Sequence, residues 1–155
     1  MKKIVYLALI LLPLFSNAQT KKNALLLGLR GGISNGLSVK KILSPVIASE
    51  TIVSTRFKGL IITSLLEASY RVEHSNLYIF TGAGAHISAI NGKEVSWYRD
   101  EANHISLGLD FIFGVDYYLK RFPINVSLDC KPSFSLIDNE MKFIDGAAFS
   151  ARYSF

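Results

Sequence analysis

Cysteine is nearly absent: Cys130 stands alone among 155 residues. One cysteine forms no internal disulfide, so packing and hydrogen bonding must hold the fold. With no histidine near it in sequence, Cys130 reads as a structural or lipid-facing side chain rather than a nucleophile. Beyond residue 18 no apolar run approaches the roughly 20 residues of a membrane-spanning helix, which excludes a helical membrane protein. The 17 basic residues against 12 acids are spread along the chain and build no single basic face, which removes nucleic acid as a partner. Neither a phosphate-binding loop nor metal-ligand spacing is present, so no cofactor and no metal are expected.

The N-terminus carries the charged, apolar and small-residue order of a secretory signal: Lys2 and Lys3, an apolar run from Ile4 to Phe15, then Ser16, Asn17 and Ala18. Cleavage is expected before Gln19, giving residues 1–18 as a removed signal peptide and 19–155 as one mature domain. Loss of Lys2 and Lys3 lowers the formal charge from +5 to +3. No cysteine lies at the cleavage point, so a lipid anchor is not expected.

In the remainder, hydrophobicity alternates with period two. Ile105, Leu107, Leu109, Phe111, Phe113, Val115, Tyr117 and Leu119 share one face, against Ser106, Gly108, Asp110, Ile112, Gly114, Asp116 and Tyr118. From Ile124 to Leu136 the pattern repeats, with Asn125, Ser127, Asp129, Lys131, Ser133 and Ser135 on the polar side. It recurs at the C-terminus, where Gly146, Ala148, Ser150, Arg152 and Ser154 oppose Ala147, Phe149, Ala151, Tyr153 and Phe155. Strands this long suit a bilayer crossing better than a soluble domain. Looser patterns place five more, at 24–32, 37–43, 47–57, 59–71 and 77–88. The fold class expected is all-β: an eight-stranded antiparallel up-and-down transmembrane barrel, closed because hydrocarbon leaves no partner for an open edge. Connections at 31–36, 56–59, 89–103 and 137–143 are expected outside the cell, and the short ones at 44–46, 73–76 and 120–123 in the periplasm.

Two consistency tests follow. Tyr70, Tyr117, Tyr153 and Phe155 are expected on the lipid face at one rim, at headgroup level. The inward phase collects Arg30, Lys40, Arg56, Arg71, Lys131 and Arg152 against Glu50, Glu67, Asp110, Asp116 and Asp129, a nearly balanced set that suits a plug of ion pairs rather than a one-sign pore lining, with solvent as the alternative place for Arg56 and Arg71 near strand ends. Inward Gly82, Gly84, Gly108 and Gly114 would leave room for long side chains, or else mark bulges.

The segments beginning at Gly28, Gly82, Gly108 and Pro123, together with the terminal Ala151-Arg-Tyr-Ser-Phe155, resemble small outer-membrane barrels of the OmpA-transmembrane and OmpX-like group, within the porin-family barrels. That resemblance implies an integral outer-membrane location in a Gram-negative envelope, contact with outer-membrane lipids, and an assembly signal at Tyr153 and Phe155 read by the barrel-assembly machinery. It implies no defined activity. The function expected is non-enzymatic, with Trp97, Tyr98 and Arg99 on the longest outer loop as a contact patch for an extracellular partner, or with Trp97 and Tyr98 as the anchors that aromatic side chains more often provide at the membrane interface. The alternative is an enzyme: His86 with Ser88, and His104 with Ser106, are similar to the His-x-Ser pair of outer-membrane lipid A deacylases, with Asp100, Glu101 or Asp110 to orient the base. A third class, a soluble periplasmic barrel with an apolar cavity, requires the two faces to be exchanged.

Overall fold

A computed structural model of the protein describes residues 24–56, 59–91, 103–136 and 146–155, side chains of 90, 91, 103 and 104 excepted. The segment read as a signal peptide lies outside the described residues. The described chain forms β1 (Leu25–Gly32), β2 (Asn35–Ile42), β3 (Ile47–Arg56), β4 (Gly59–Arg71), β5 (Leu77–Asn91), β6 (Asn103–Tyr118), β7 (Ile124–Cys130), β8 (Ser133–Ser135) and β9 (Ala147–Ser154). Each pairs antiparallel with its neighbours, β1 meets β9, and β7 and β8 both lie along β6. These two form one stave, so eight staves close into an up-and-down barrel without a free edge.

The stave expected from 124 to 136 is interrupted at Lys131 and Pro132, because proline has no N–H to donate to the ladder. The register resumes unshifted, with Cys130 opposite Phe113 and Ser133 opposite Asp110. The connection expected at 31–36 is instead a tight turn at Ile33 and Ser34. Gly31, Gly32 and Gly36 belong to the strands, and the Asn35 side chain accepts the N–H of Gly32 at 3.2 Å.

Closure tilts the strands. Following register partners from Asn125 through Arg152, Gly28, Ser38, Ile52, Thr63, His86 and Gly108 leads back to the starting stave at Ser135, ten residues further along. That stagger is the shear of a tilted barrel. It brings residues distant along the axis of a flat sheet into one cross-section of the lumen.

Burial follows the two-residue period, with the polar face inside. Along β6, Ser106, Asp110, Ile112 and Asp116 are buried while Leu107, Leu109, Phe111 and Phe113 are exposed. On β9, Ser150 and Arg152 are buried and Phe149 is exposed. Leu29 and Leu66 also stand outward. The expected rim is present: Tyr70, Tyr117 and Phe155 are exposed, and Tyr153 packs edge-on against Phe155 with ring centroids 4.8 Å apart. Two small apolar groups remain inside. Ala24, Leu26, Ile42 and Ala48, with Tyr118 against them, fill the end of the short turns, and Ile52, Leu65, Phe80 and Ile112 pack together in the interior.

Candidate functional site in the barrel interior

Side chains of the inward phase converge from several staves because the lumen of an eight-stranded barrel is about as wide as the side chains that line it. Near the end of the short turns, Arg152 reaches across from β9. Its guanidinium donates to Ser38 Oγ at 2.7 Å, Asn125 Oδ1 at 3.1 Å, Ser127 Oγ at 2.8 Å and Glu50 Oε1 at 2.5 Å. Asp116 Oδ1 lies 3.5 Å from the same group and accepts Asn125 Nδ2 at 3.3 Å. Lys40 Nζ sits between Asp116 Oδ2 and Glu67 Oε2, both at 2.7 Å, and lies 4.3 Å from the centroid of the Phe80 ring. Arg30 and Asp129 make a separate two-pronged pair, both contacts at 2.6 Å. Such a fork is among the stronger forms of ion pair.

A third group gathers on Asp110. Lys131 Nζ approaches Asp110 Oδ1 at 3.2 Å, Ser133 donates to the same oxygen, and His86 Nδ1 lies 2.9 Å from Oδ2. Lys131 also reaches Thr63 Oγ1 at 3.5 Å and Ser133 Oγ at 3.4 Å. All these charged side chains are at most 3 % exposed. Buried charge persists only when paired and hydrogen-bonded, and hydroxyls from Ser38, Ser127, Ser133 and Thr63 add hydrogen bonds to the ion pairs here.

The inward glycines have a register explanation. Gly28 faces Arg152, Gly82 faces Glu67, Gly84 faces Asp110, Gly108 faces His86 and Gly114 faces Asp129. At Gly108 an added Cβ would stand 2.4 Å from His86 Cε1, so the imidazole occupies the space that a side chain would need.

No family model matches the sequence and no curated protein matches it. Solved structures do. The N-terminal β-barrel domain of Pseudomonas aeruginosa OprF superposes with a TM-score of 0.66 at 15% identity, over 86% of this chain and 98% of that one. Yersinia pestis outer membrane protein Ail, determined in a phospholipid bilayer nanodisc, gives 0.55 at 10% identity with the same coverages, 86% and 98%. The fold is that of a small outer-membrane β-barrel. The outward Leu, Phe and Val of a barrel of this kind form its lipid-contacting face.

Within this barrel the sequence-predicted residues divide as follows. Arg30, Lys40, Lys131 and Arg152 and all five expected acids are buried together. Arg71, expected inside, is exposed at the end of β4 and donates to the carbonyl of Ser75 at 2.8 Å, because β4 outruns the lumen there. Arg56, at the other rim, is half-buried. The buried set is therefore four bases against five acids rather than six against five. His86 was legible as inward-facing and Asp110 as one of three acids that could orient it, but which of the three was not, since His86 and Asp110 are joined only by the pairing of β5 with β6. Ser38 and Thr63 were missed for the same reason.

His86 and Asp110 make two parts of a nucleophile-activating arrangement. The third is missing among the described residues: His86 Nε2 has no hydrogen-bond partner, Ser88 Oγ donates to the Ser106 carbonyl at 3.5 Å, and Ser106 Oγ pairs with Ser135 Oγ at 2.9 Å. The His104 side chain and residues Trp97, Tyr98, Arg99, Asp100 and Glu101 lie outside the described residues.

Proposed function

We propose that the chain is a non-enzymatic integral protein of the outer membrane whose lumen is closed to general diffusion and whose outer connections, 89–103 and 137–143, meet a partner or surface outside the cell. The observation that carries this reading is the ion-paired set across the lumen, in which Arg152 alone holds groups from β2, β3, β6 and β7. Side chains joined in this way leave little free cross-section, and the apolar group around Leu26 and Tyr118 adds a second obstruction at the end of the short turns. Tyr153 and Phe155 supply the terminal signal for the barrel-assembly machinery. A lipid hydrolase is disfavoured because His86 is buried in the lumen, while an acyl chain would approach from outside.

The test has two parts. Purified protein in a planar bilayer should give no steady open-state current, and protease added to intact cells should cut within residues 89–103. A sustained conductance overturns the closed lumen. Cleavage only after the outer membrane is opened reverses the orientation.

A further inference from the structure

The turn from β6 to β7, residues 119–123, sets Lys120 and Arg121 side by side at the end of the short turns. Both are exposed, and neither has a hydrogen-bond or ion-pair partner among the described residues. Beside them runs an open groove of about 360 Å³ lined by Tyr117, Leu119, Lys120, Arg121 and Phe122. No carboxylate is among those lining residues. The nearest acid in sequence, Asp116, points into the lumen and is held by Lys40.

The groove belongs to the aromatic rim. Tyr117 is the register partner of Val126 on β7, and Ile124 of the same strand faces Tyr153, which packs on Phe155. Aromatic side chains of that kind mark the headgroup level of a bilayer. Cations in the turn just beyond them stand at the depth of lipid phosphates, while Tyr117, Leu119 and Phe122 stand beside the glycerol and the first acyl carbons. A guanidinium presents a planar fork that matches two phosphate oxygens, and an adjacent ammonium adds a second charge.

We propose that this groove is a binding site for one anionic phospholipid of the leaflet at the short-turn end, its phosphate held by Lys120 and Arg121. A zwitterionic lipid fits less well, because its ammonium finds no acid in the groove. The proposal rests on the membrane-inserted reading above and goes beyond it by naming a ligand class and its residues.

The experiment is native mass spectrometry of the folded protein released from detergent micelles doped with dioleoyl phosphatidylglycerol or dioleoyl phosphatidylcholine. The phosphatidylglycerol adduct should dominate. In Lys120→Ala/Arg121→Ala its affinity should fall roughly thirtyfold, as for two surface cations lost at a lipid interface, while Lys41→Ala on the outer face of β2 should leave it unchanged. Unchanged retention in the double variant, equal loss in Lys41→Ala, or equal retention of the two lipids by the unaltered protein overturns the site. Full competition by glycerol 3-phosphate at matched concentration also overturns it, since the acyl contacts would then be idle. Should the double variant fail to fold, Arg121→Gln is read in its place. A failure of the membrane reading is separately visible, because no lipid would then give the heat-modifiable gel mobility of a folded barrel.

Discussion

Arg152→Ala probes the interior most directly. The substitution removes the one group that joins Glu50, Asp116, Ser38, Asn125 and Ser127, and leaves the two carboxylates in place with fewer partners. In a dry lumen, breaking a buried pair from one side costs about 3–5 kcal/mol, because the remaining charge has no water to replace what it lost. In a water-filled lumen the same carboxylates would be resolvated, and the loss would be that of an exposed pair, about 1 kcal/mol or less. Urea unfolding of the barrel in short-chain phosphatidylcholine vesicles, followed by the mobility of unheated samples on a gel, separates the two. Removing the stranded acid as well, in Arg152→Ala/Glu50→Gln, should recover part of the loss. A single-variant loss below about 1 kcal/mol would refute the filled interior and make the charged residues a pore lining.

Two neighbouring positions on β6 test the two faces against each other. Leu109→Arg places a charge in hydrocarbon near mid-stave and should cost about 2–4 kcal/mol in the same vesicle assay; a cost within about 0.5 kcal/mol would mean that this face meets water. Gly108→Val should destabilise by at least about 1–3 kcal/mol, because its Cβ would meet the Phe134 carbonyl oxygen at 2.3 Å and His86 Cε1 at 2.4 Å. A neutral result there would show that His86 swings clear and that the lumen holds unused space.

The fold was legible because a transmembrane strand writes its two environments into alternate residues, and no segment shows this more plainly than β6. Strand limits were less legible at the ends. Gly36 read as part of a loop, yet it lies within β2, since the pairing of β1 with β2 overrides a local turn preference. The interior was half legible. Phase alone identifies Asp110 and Lys131 as inward, but not that Asp110 meets His86, Lys131 and Ser133 together, because partner choice depends on register across β5, β6 and β8. Arg71 is inward by phase, but its position lies past the end of the lumen, and it takes the solvated alternative open to a residue at a strand end.

The same alternation also fits a soluble barrel turned inside out, and strand count and closure do not distinguish the two. The side chains do. A soluble ligand-binding barrel needs its Leu and Phe residues within and its Asp and Lys residues in water. Here Leu29, Ile105 and Leu128 are 68%, 67% and 58% exposed, while Lys40 and Asp110 are fully enclosed. Exchanging the faces would keep each cross-strand partner but turn every stave over, carrying the whole polar set to the outside. That reversal would part Arg30 from Asp129, which stand on β1 and β7 with β9 between them, and would set Arg152 outside, away from the groups it meets across the lumen. The phase is thus held from two sides, by the solvent on the outer face and by the ion pairs within, and neither constraint is met in the reversed arrangement.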